Sequence, residues 1–334
     1  MEREPNTEYV LSLSYGKDSL ACLGAIEELG WPLDRIIHAE VWATDDIPAD
    51  LPPMVSFKVH ADKIIRERYG VEVEHQCAVR NGEKLTYEKL FYHVPIRKET
   101  TINRFGEGGV SPIAGFPPRL APWCNSRLKL RNLQRVPVYN QRMVQKAQRR
   151  VLSSASLSSR GIGVRAISNA GFSTGPIAQG AKTNIVQYLG IAADEPERIE
   201  RHTKPGFKMP LVEVGWDEAY CRKWCEERDL LSPIYTTATR GGGCWFCHNQ
   251  GIDQLRLLRK TYPDLWKLLL KWDRDSPVTF KADGHTVRDY DLRFQAEDLG
   301  LVPTDRKFRW KMLTGDNLIA VTKRNLLKLL EGSI

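Results

Sequence analysis

The chain has 334 residues, 42% of them apolar and 27% charged, with a formal net charge of +8. That composition excludes a disordered or fibrous chain, and the length suffices for one large domain or two smaller ones with a proper core. No run of about 18 uncharged apolar residues is present, which excludes a membrane-spanning helix. The start Met1-Glu2-Arg3-Glu4-Pro5 lacks the pattern of a secretory leader, so a cytoplasmic location is expected.

In chain order, Glu8 to Leu13 is a short apolar run that predicts a buried strand. Ser14 to Ser19 is turn-like, and Leu20 to Leu29 carries a helical face that Gly30 ends. Ile36 to Trp42 predicts a second strand running into Ala43-Thr44-Asp45-Asp46. Val55 to Tyr69 predicts a second helix closed by Gly70, and Val71 to His75 alternates as a third strand. This order implies right-handed crossovers and an α/β fold, a doubly wound, mainly parallel sheet covered on both faces. Ligands of such sheets bind beyond the carboxyl ends of the strands, where Ser14–Ser19 and Thr44–Asp46 fall.

The charge is uneven. Gly108 to Ala193 holds no Asp or Glu but twelve Lys or Arg, more than the whole chain's excess, so the remainder is net acidic. Such a block either attracts phosphates or forms a solvated basic loop. Within it, Val138 to Leu152 predicts a short basic helix, and Ser153 to Gly180 is a Ser/Gly/Ala-rich loop or mobile insertion. After Ile185 the pattern turns mostly helical, with helices at Trp216–Arg228, at Asp253–Asp273 with a break near Pro263, and at Asn317–Leu330. The expected organisation is a nucleotide-binding domain over 1–250, with a basic insertion at about 135–180, and a helical region over 251–334.

The segment Ser14-Tyr15-Gly16-Lys17-Asp18-Ser19 joins a strand to a helix. Gly16 permits a tight turn, and first-turn amides and the helix dipole favour an anion. Lys17 supplies a point charge, and Ser14 and Ser19 supply hydroxyl donors. Asp18 caps the helix or helps hold a metal ion. Asp45 and Asp46 have two readings: Mg²⁺ or ribose contacts, or a solvated turn.

Seven cysteines in a chain of this size argue for metal or redox chemistry over a disulfide framework. Cys244 and Cys247 form a C-x-x-C pair behind three glycines, a spacing that lets two thiolates share one metal or cluster. Cys221 and Cys225 share a helix face. With Cys124, the set Cys124, Cys225, Cys244 and Cys247 has the composition for a 4Fe–4S cluster or zinc, with Cys221 or His248 as substitute members. The competing reading is reduced, buried thiols. Cys22 lies on an apolar helix face and reads as core. Trp245 and Phe246 read as core packing ahead of base stacking.

The loop resembles the PP-loop, S-G-G-K-D-S, of the ATP pyrophosphatases (the adenine nucleotide alpha hydrolase-like superfamily), with Tyr15 in place of the first glycine. Within it the chain is most similar to the phosphoadenosine phosphosulfate (PAPS) reductase family. Pro122 to Lys129 resembles the W-C-T-x-x-x-K segment of that family. Gly190 to Arg198, including Asp194 and Glu195, resembles G-x-R-x-x-E-S-x-x-R, with Ala192 where a basic residue is usual. Pro210 to Cys247 resembles the stretch ending in G-C-x-x-C.

The resemblance implies ATP with Mg²⁺, its phosphates on Ser14–Ser19 and its adenine near the second strand. It implies attack on the α-phosphorus, release of pyrophosphate and an adenylated acceptor. Lys17, Arg127, Lys129 and Arg198 are then the cations facing the developing charge; Arg127 and Lys129 otherwise read as surface charge. No cysteine follows Cys247, so the C-terminal nucleophile of the thioredoxin-dependent reductases has no counterpart. The expected activity is therefore adenylation in sulfur transfer to, or modification of, a nucleic acid, with a sulfur donor such as a cysteine desulfurase as partner. The alternatives are a PAPS or adenosine phosphosulfate reductase, and a non-catalytic nucleotide- or DNA-binding component of a larger system.

Overall fold

A computed structural model describes residues 1–94, 113–118, 122–130, 184–233, 235 and 243–330. In chain order its elements are β1 (Thr7–Ser12), α1 (Lys17–Glu28), β2 (Arg35–Glu40), α2 (Pro52–Tyr69), β3 (Val73–Cys77), β4 (Val79–Arg80), β5 (Glu83–Lys84) and α3 (Tyr87–Phe91). A π-helical turn follows at Asn125–Leu130. Then come β6 (Asn184–Tyr188), α4 (Pro196–His202), β7 (Phe207–Lys208), α5 (Pro210–Glu213), α6 (Glu218–Glu226), α7 (Ile252–Thr261), α8 (Pro263–Asp275), α9 (Val287–Asp298) and α10 (Asp316–Leu330). The predicted insertion at 135–180 and the helix at 138–152 lie outside the described residues.

Contacts divide the chain into two units, Met1–Thr86 with Cys124–Thr237, and Tyr87–Trp123 with Ala238–Ile334. The sequence places the border at 250; by contact, 87–123 and 238–250 go with the C-terminal helices.

The first unit is built on a five-stranded, all-parallel sheet in the order β3-β2-β1-β6-β7. β1 lies at its centre because its residues alternate between two dry faces. Tyr9, Leu11 and Leu13 join the main core with α1, α2 and α6, and Val10 points the other way onto Ile37 and Ile185. β6 corrects the sequence reading, which begins a helical region near Ile185. Its five residues are too short a run to show a period, and only the pairing with β1, Thr7 opposite Asn184 through Leu11 opposite Tyr188, makes them a strand.

The chain runs from β1 through α1 to β2 on one side, and β6 flanks β1 on the other. The crevice between β1 and β6 is therefore the topological switch point, where an open parallel sheet offers a ligand site. α1 packs closely on α6: a Cβ at Gly24 would lie 2.4 Å from Trp224 Cε2.

The second unit has an aromatic core. Trp245 stacks on Trp272 at 5.6 Å, Tyr87 meets Phe246 at 4.1 Å, and Phe91, Phe116 and Phe280 extend the cluster. Trp245 and Phe246 are thus buried as core. Pro263 opens α8 at its first turn, where a missing N–H costs nothing, and so separates it from α7. Thr286 and Asp289 form a capping box at the start of α9, and the buried Asp273 accepts from Val287 N at 2.9 Å. No helix among the described residues is long and apolar enough to cross a membrane.

Candidate functional site

The segment Ser14–Ser19 sits at the carboxyl end of β1 and opens α1. Ser19 closes it from within: its Oγ donates to Gly16 O at 3.0 Å and accepts from Ser14 N at 3.1 Å, with Ser14 Oγ 2.9 Å away. Ser19 is buried, and its hydroxyl, expected from the sequence to donate to a ligand, is engaged within the loop. Gly16 caps α1 without a side-chain hydrogen bond. The Gly16 amide lies 3.4 Å from Ser14 Oγ, and the amide of Lys17 donates to Tyr235 Oη at 3.0 Å.

The turn itself corrects a second expectation. Gly16 has an ordinary φ of −76°, whereas Tyr15 takes the left-handed conformation at φ 57°. Space at Gly16 is tight: a Cβ there would stand 3.3 Å from Tyr235 Oη and 3.4 Å from Ser14 Oγ. Tyr15 occupies the position where the PP-loop has its first glycine, and it does so fully buried.

Lys17 is enclosed, with 12% of its side chain exposed, and its Nζ lies 2.7 Å from Asp18 Oδ1 and 3.5 Å from Glu218 Oε1. Burial works against its charge, but Asp18, then Glu218, raise its pKa above the ordinary lysine value. Asp18 is raised as well. Burial is the main cause, Lys17 opposes it, and Glu218 and Glu195 add to it. The Lys17 ammonium thus stands between two carboxylates, Asp18 and Glu218.

The β6 side supplies the rest of this wall. After β6 the backbone at Gly190 runs against the start of α1; a Cβ there would lie 2.6 Å from Ser19 Cα and 2.7 Å from Ser19 N. Glu195 accepts from Ala192 N at 3.3 Å and pairs with Arg198 at 2.5 Å. Asp194 Oδ1 accepts from Glu218 N at 3.1 Å, fixing the start of α6. The structure therefore gathers Gly190, Asp194, Glu195 and Arg198 beside Lys17 and Asp18. Ala192, where the family pattern has a basic residue, is buried.

Arg127 and Lys129 lie on the π-helical turn, which packs on β2, the neighbour of β1 away from β6. Asp45 is exposed in the loop after β2, its carbonyl accepting from Lys84 Nζ at 2.9 Å, and that ammonium covers the Trp42 ring at 3.4 Å.

The four cysteines divide between the two units, Cys124 and Cys225 in the first and Cys244 and Cys247 in the second. Cys225 is buried in the core of the first unit, where its thiol donates to Lys17 O at 3.3 Å, and burial pushes its pKa to about 12. As a thiol it is thus a buried hydrogen-bond donor. Cys221 and Cys22 share that core. Cys244 and Cys247 form a tight turn, Cys247 N donating to Cys244 O at 3.0 Å. Within the first unit, neither Cys124 nor Cys225 belongs to a set of three ligand atoms within 4.8 Å of one another among the described residues. No chemistry is routed through a metal ion or cluster on these cysteines.

The set that does satisfy that geometry is His38, Glu40 and His75, none of which the sequence singled out. It holds a protein cation already. Lys58 Nζ lies 2.8 Å from His38 Nε2, 3.2 Å from Glu40 and 2.6 Å from Asp50. His75 spends both ring nitrogens on carboxylates, Nδ1 on Glu40 and Nε2 on Asp62, each at 2.9 Å. These residues form an ion-pair network rather than an open ligand set.

Comparisons with protein families, curated proteins and solved structures found no match.

Proposed function

We propose that this protein is an ATP pyrophosphatase of the PP-loop kind, which seats Mg²⁺-ATP on Ser14–Ser19 and adenylates an acceptor with release of pyrophosphate. The observation that carries this reading is the placement of the loop. It opens α1 at the β1–β6 switch point, with Lys17 enclosed and Gly190 pressed onto its backbone. The amides and the Lys17 ammonium would hold phosphate oxygens and stabilise charge spreading onto the leaving pyrophosphate. The two carboxylates that flank Lys17, Asp18 and Glu218, favour a nucleotide that arrives with Mg²⁺ over a bare anion. When bound, that ion supplies charge neutralisation between the phosphates. Arg198, held by Glu195, stands on the same wall as a second cation.

Nucleic acid is the preferred acceptor, from the acid-free basic stretch 108–193. The expected setting is sulfur transfer, with Arg127 and Lys129 meeting the acceptor's phosphates. Incubation with α-labelled ATP, Mg²⁺ and nucleic acid should yield labelled AMP or an adenylated product together with pyrophosphate. Labelled ADP as the product refutes the mechanism. ATP binding without turnover in the presence of every acceptor tested supports the non-catalytic reading.

A further inference from the structure

Behind the loop lies a hydrogen-bond circuit that begins and ends on the loop itself. At its base, Leu13 O accepts from His38 Nδ1 at 2.8 Å. His38 Nε2 therefore carries the lone pair that accepts from Lys58 Nζ at 2.8 Å. Lys58 also donates to Glu40 at 3.2 Å, and Glu40 accepts from His75 Nδ1 at 2.9 Å. His75 Nε2 pairs with Asp62 at 2.9 Å and lies 3.1 Å from Tyr15 Oη, and Tyr15 donates to Asp62. Leu13 precedes the loop and Tyr15 is its turning residue, so the circuit holds the start of the segment on either side of Ser14.

Tyr15 is the member that matters for the loop. A residue with a β-carbon disfavours the left-handed region, and tyrosine has no local side-chain bond to compensate. Its φ of 57° is held by tertiary contacts: the ring is fully buried, edge-on to His38 at 4.8 Å and stacked with His75 at 5.9 Å. The next two residues are Gly16 and Lys17, the positions whose backbone and side chain the proposed phosphate site uses. Turning Tyr15 turns them.

We infer that Asp62 and His75 are positioning residues which, by holding the Tyr15 hydroxyl, fix the left-handed turn that sets the Gly16–Lys17 backbone for phosphate. This rests on the reading of Ser14–Ser19 as a nucleotide site. The circuit also exposes the loop to pH. His75 is a third exposed; the groups facing it are Glu40 and the His38 ring from β2, Asp62 from α2 and Tyr15 from the loop, with Lys58 of α2 behind Glu40. Asp62 and Glu40 raise its pKa to about 9. Tyr15 is pushed far above the ordinary phenol range, by burial and then by Asp62, and stays a neutral donor. Deprotonation of His75 releases one carboxylate contact and loosens the hold on Tyr15.

The test uses the full-length chain labelled with carbonyl-¹³C tyrosine and ¹⁵N glycine. The sequence has two Tyr-Gly pairs, Tyr15-Gly16 and Tyr69-Gly70. Carbon-detected carbonyl–nitrogen correlations then show two signals, and Gly70, which closes α2, serves as the internal reference. From about pH 6.5 to about pH 9.5 the Gly16 signal should titrate together with the His75 ring while Gly70 stays still. That coupling should vanish in Tyr15→Phe and in Asp62→Asn, two variants of which one suffices if the other does not fold.

Affinity for a non-hydrolysable ATP analogue with Mg²⁺ should fall about tenfold over the same range in the wild type and be flat in Tyr15→Phe. A Gly16 signal indifferent to His75, or one that still follows it in Tyr15→Phe, overturns the inference. Stoichiometric Zn²⁺ binding that is lost in His75→Gln overturns it too, because the ring would then be a ligand set. If Gly16 follows His75 but the wild type binds no analogue, the tie to the loop stands and the nucleotide reading fails.

Discussion

Gly190→Ala offers a direct strike at the crevice between β1 and β6. The added Cβ would meet Ser19 Cα at 2.6 Å, Ser19 N at 2.7 Å and Asp18 C at 2.9 Å. Carbon pairs rest at about 3.5–4.0 Å, so the β6 end and the start of α1 must separate by about 1 Å. All three neighbours are backbone, so no side chain can swing aside. Overpacking of this kind costs about 1–3 kcal/mol, and a displacement of about 1 Å at a reacting site costs on the order of 100-fold in rate. Gly24→Ala is the control. Its Cβ collides with Trp224, 2.4 Å from Cε2, on the packed face of the same helix. Urea unfolding and turnover of α-labelled ATP should be measured on both. Both should lose about 1–3 kcal/mol of stability, and Gly190→Ala alone should lose about 100-fold in turnover while still folded. Equal losses of turnover in the two variants, or a folded Gly190→Ala with wild-type turnover, refute the placement of the site.

The remaining expectations concern charge and burial. His75 gains a pKa of about 9 in the fold against an ordinary value near 6.5, so its contribution is complete below pH 6.5 and is lost as pH rises through about 9. With solvent screening at this half-exposed ring, wild type should lose about 1 kcal/mol relative to His75→Gln between pH 6.5 and pH 9.5 in urea titrations; parallel curves contradict this. His38 shows the opposite sign. Burial, then Lys58, lowers its pKa to about 4, so acid removes stability as pH falls from about 6.5 toward 4, and His38→Gln should blunt that loss in the same titrations. Glu218→Gln removes an exposed partner of Lys17 and should tighten ATP binding up to about fivefold in metal-free buffer, measured calorimetrically; weaker binding contradicts the charge argument. Cys225→Ala should cost about 1 kcal/mol and leave any iron or zinc content of the purified chain unchanged; loss of metal would restore Cys225 as a ligand.

Local order was legible in the sequence. The apolar run at β1, the turn at 14–19, the periodic faces of α1 and α2, and the Pro263 break between α7 and α8 are short-range signals, because backbone sterics and hydrophobic period act over a few residues. They fixed the parallel α/β character and the end of β1 as the place to look for a site. Lys17, Asp18 and the Gly190–Arg198 segment could be chosen from residue type and from the resemblance to a PP-loop.

The rest depended on groups far apart in the chain. β6 became a strand only by pairing with β1. Cys225, four residues after Cys221 on a helix, sets its thiol against Lys17 O, a contact across the chain that no spacing shows. His38, Lys58, Asp62 and His75 have no spacing that marks them, since they come from β2, α2 and β3 and meet only when those elements stack. One local sign was present: a tyrosine where the motif has a glycine. Sequence shows that substitution, but only the folded surroundings decide that Tyr15 can hold a left-handed turn, because the energy offsetting its β-carbon comes from Asp62 and His75 and not from its neighbours in the chain.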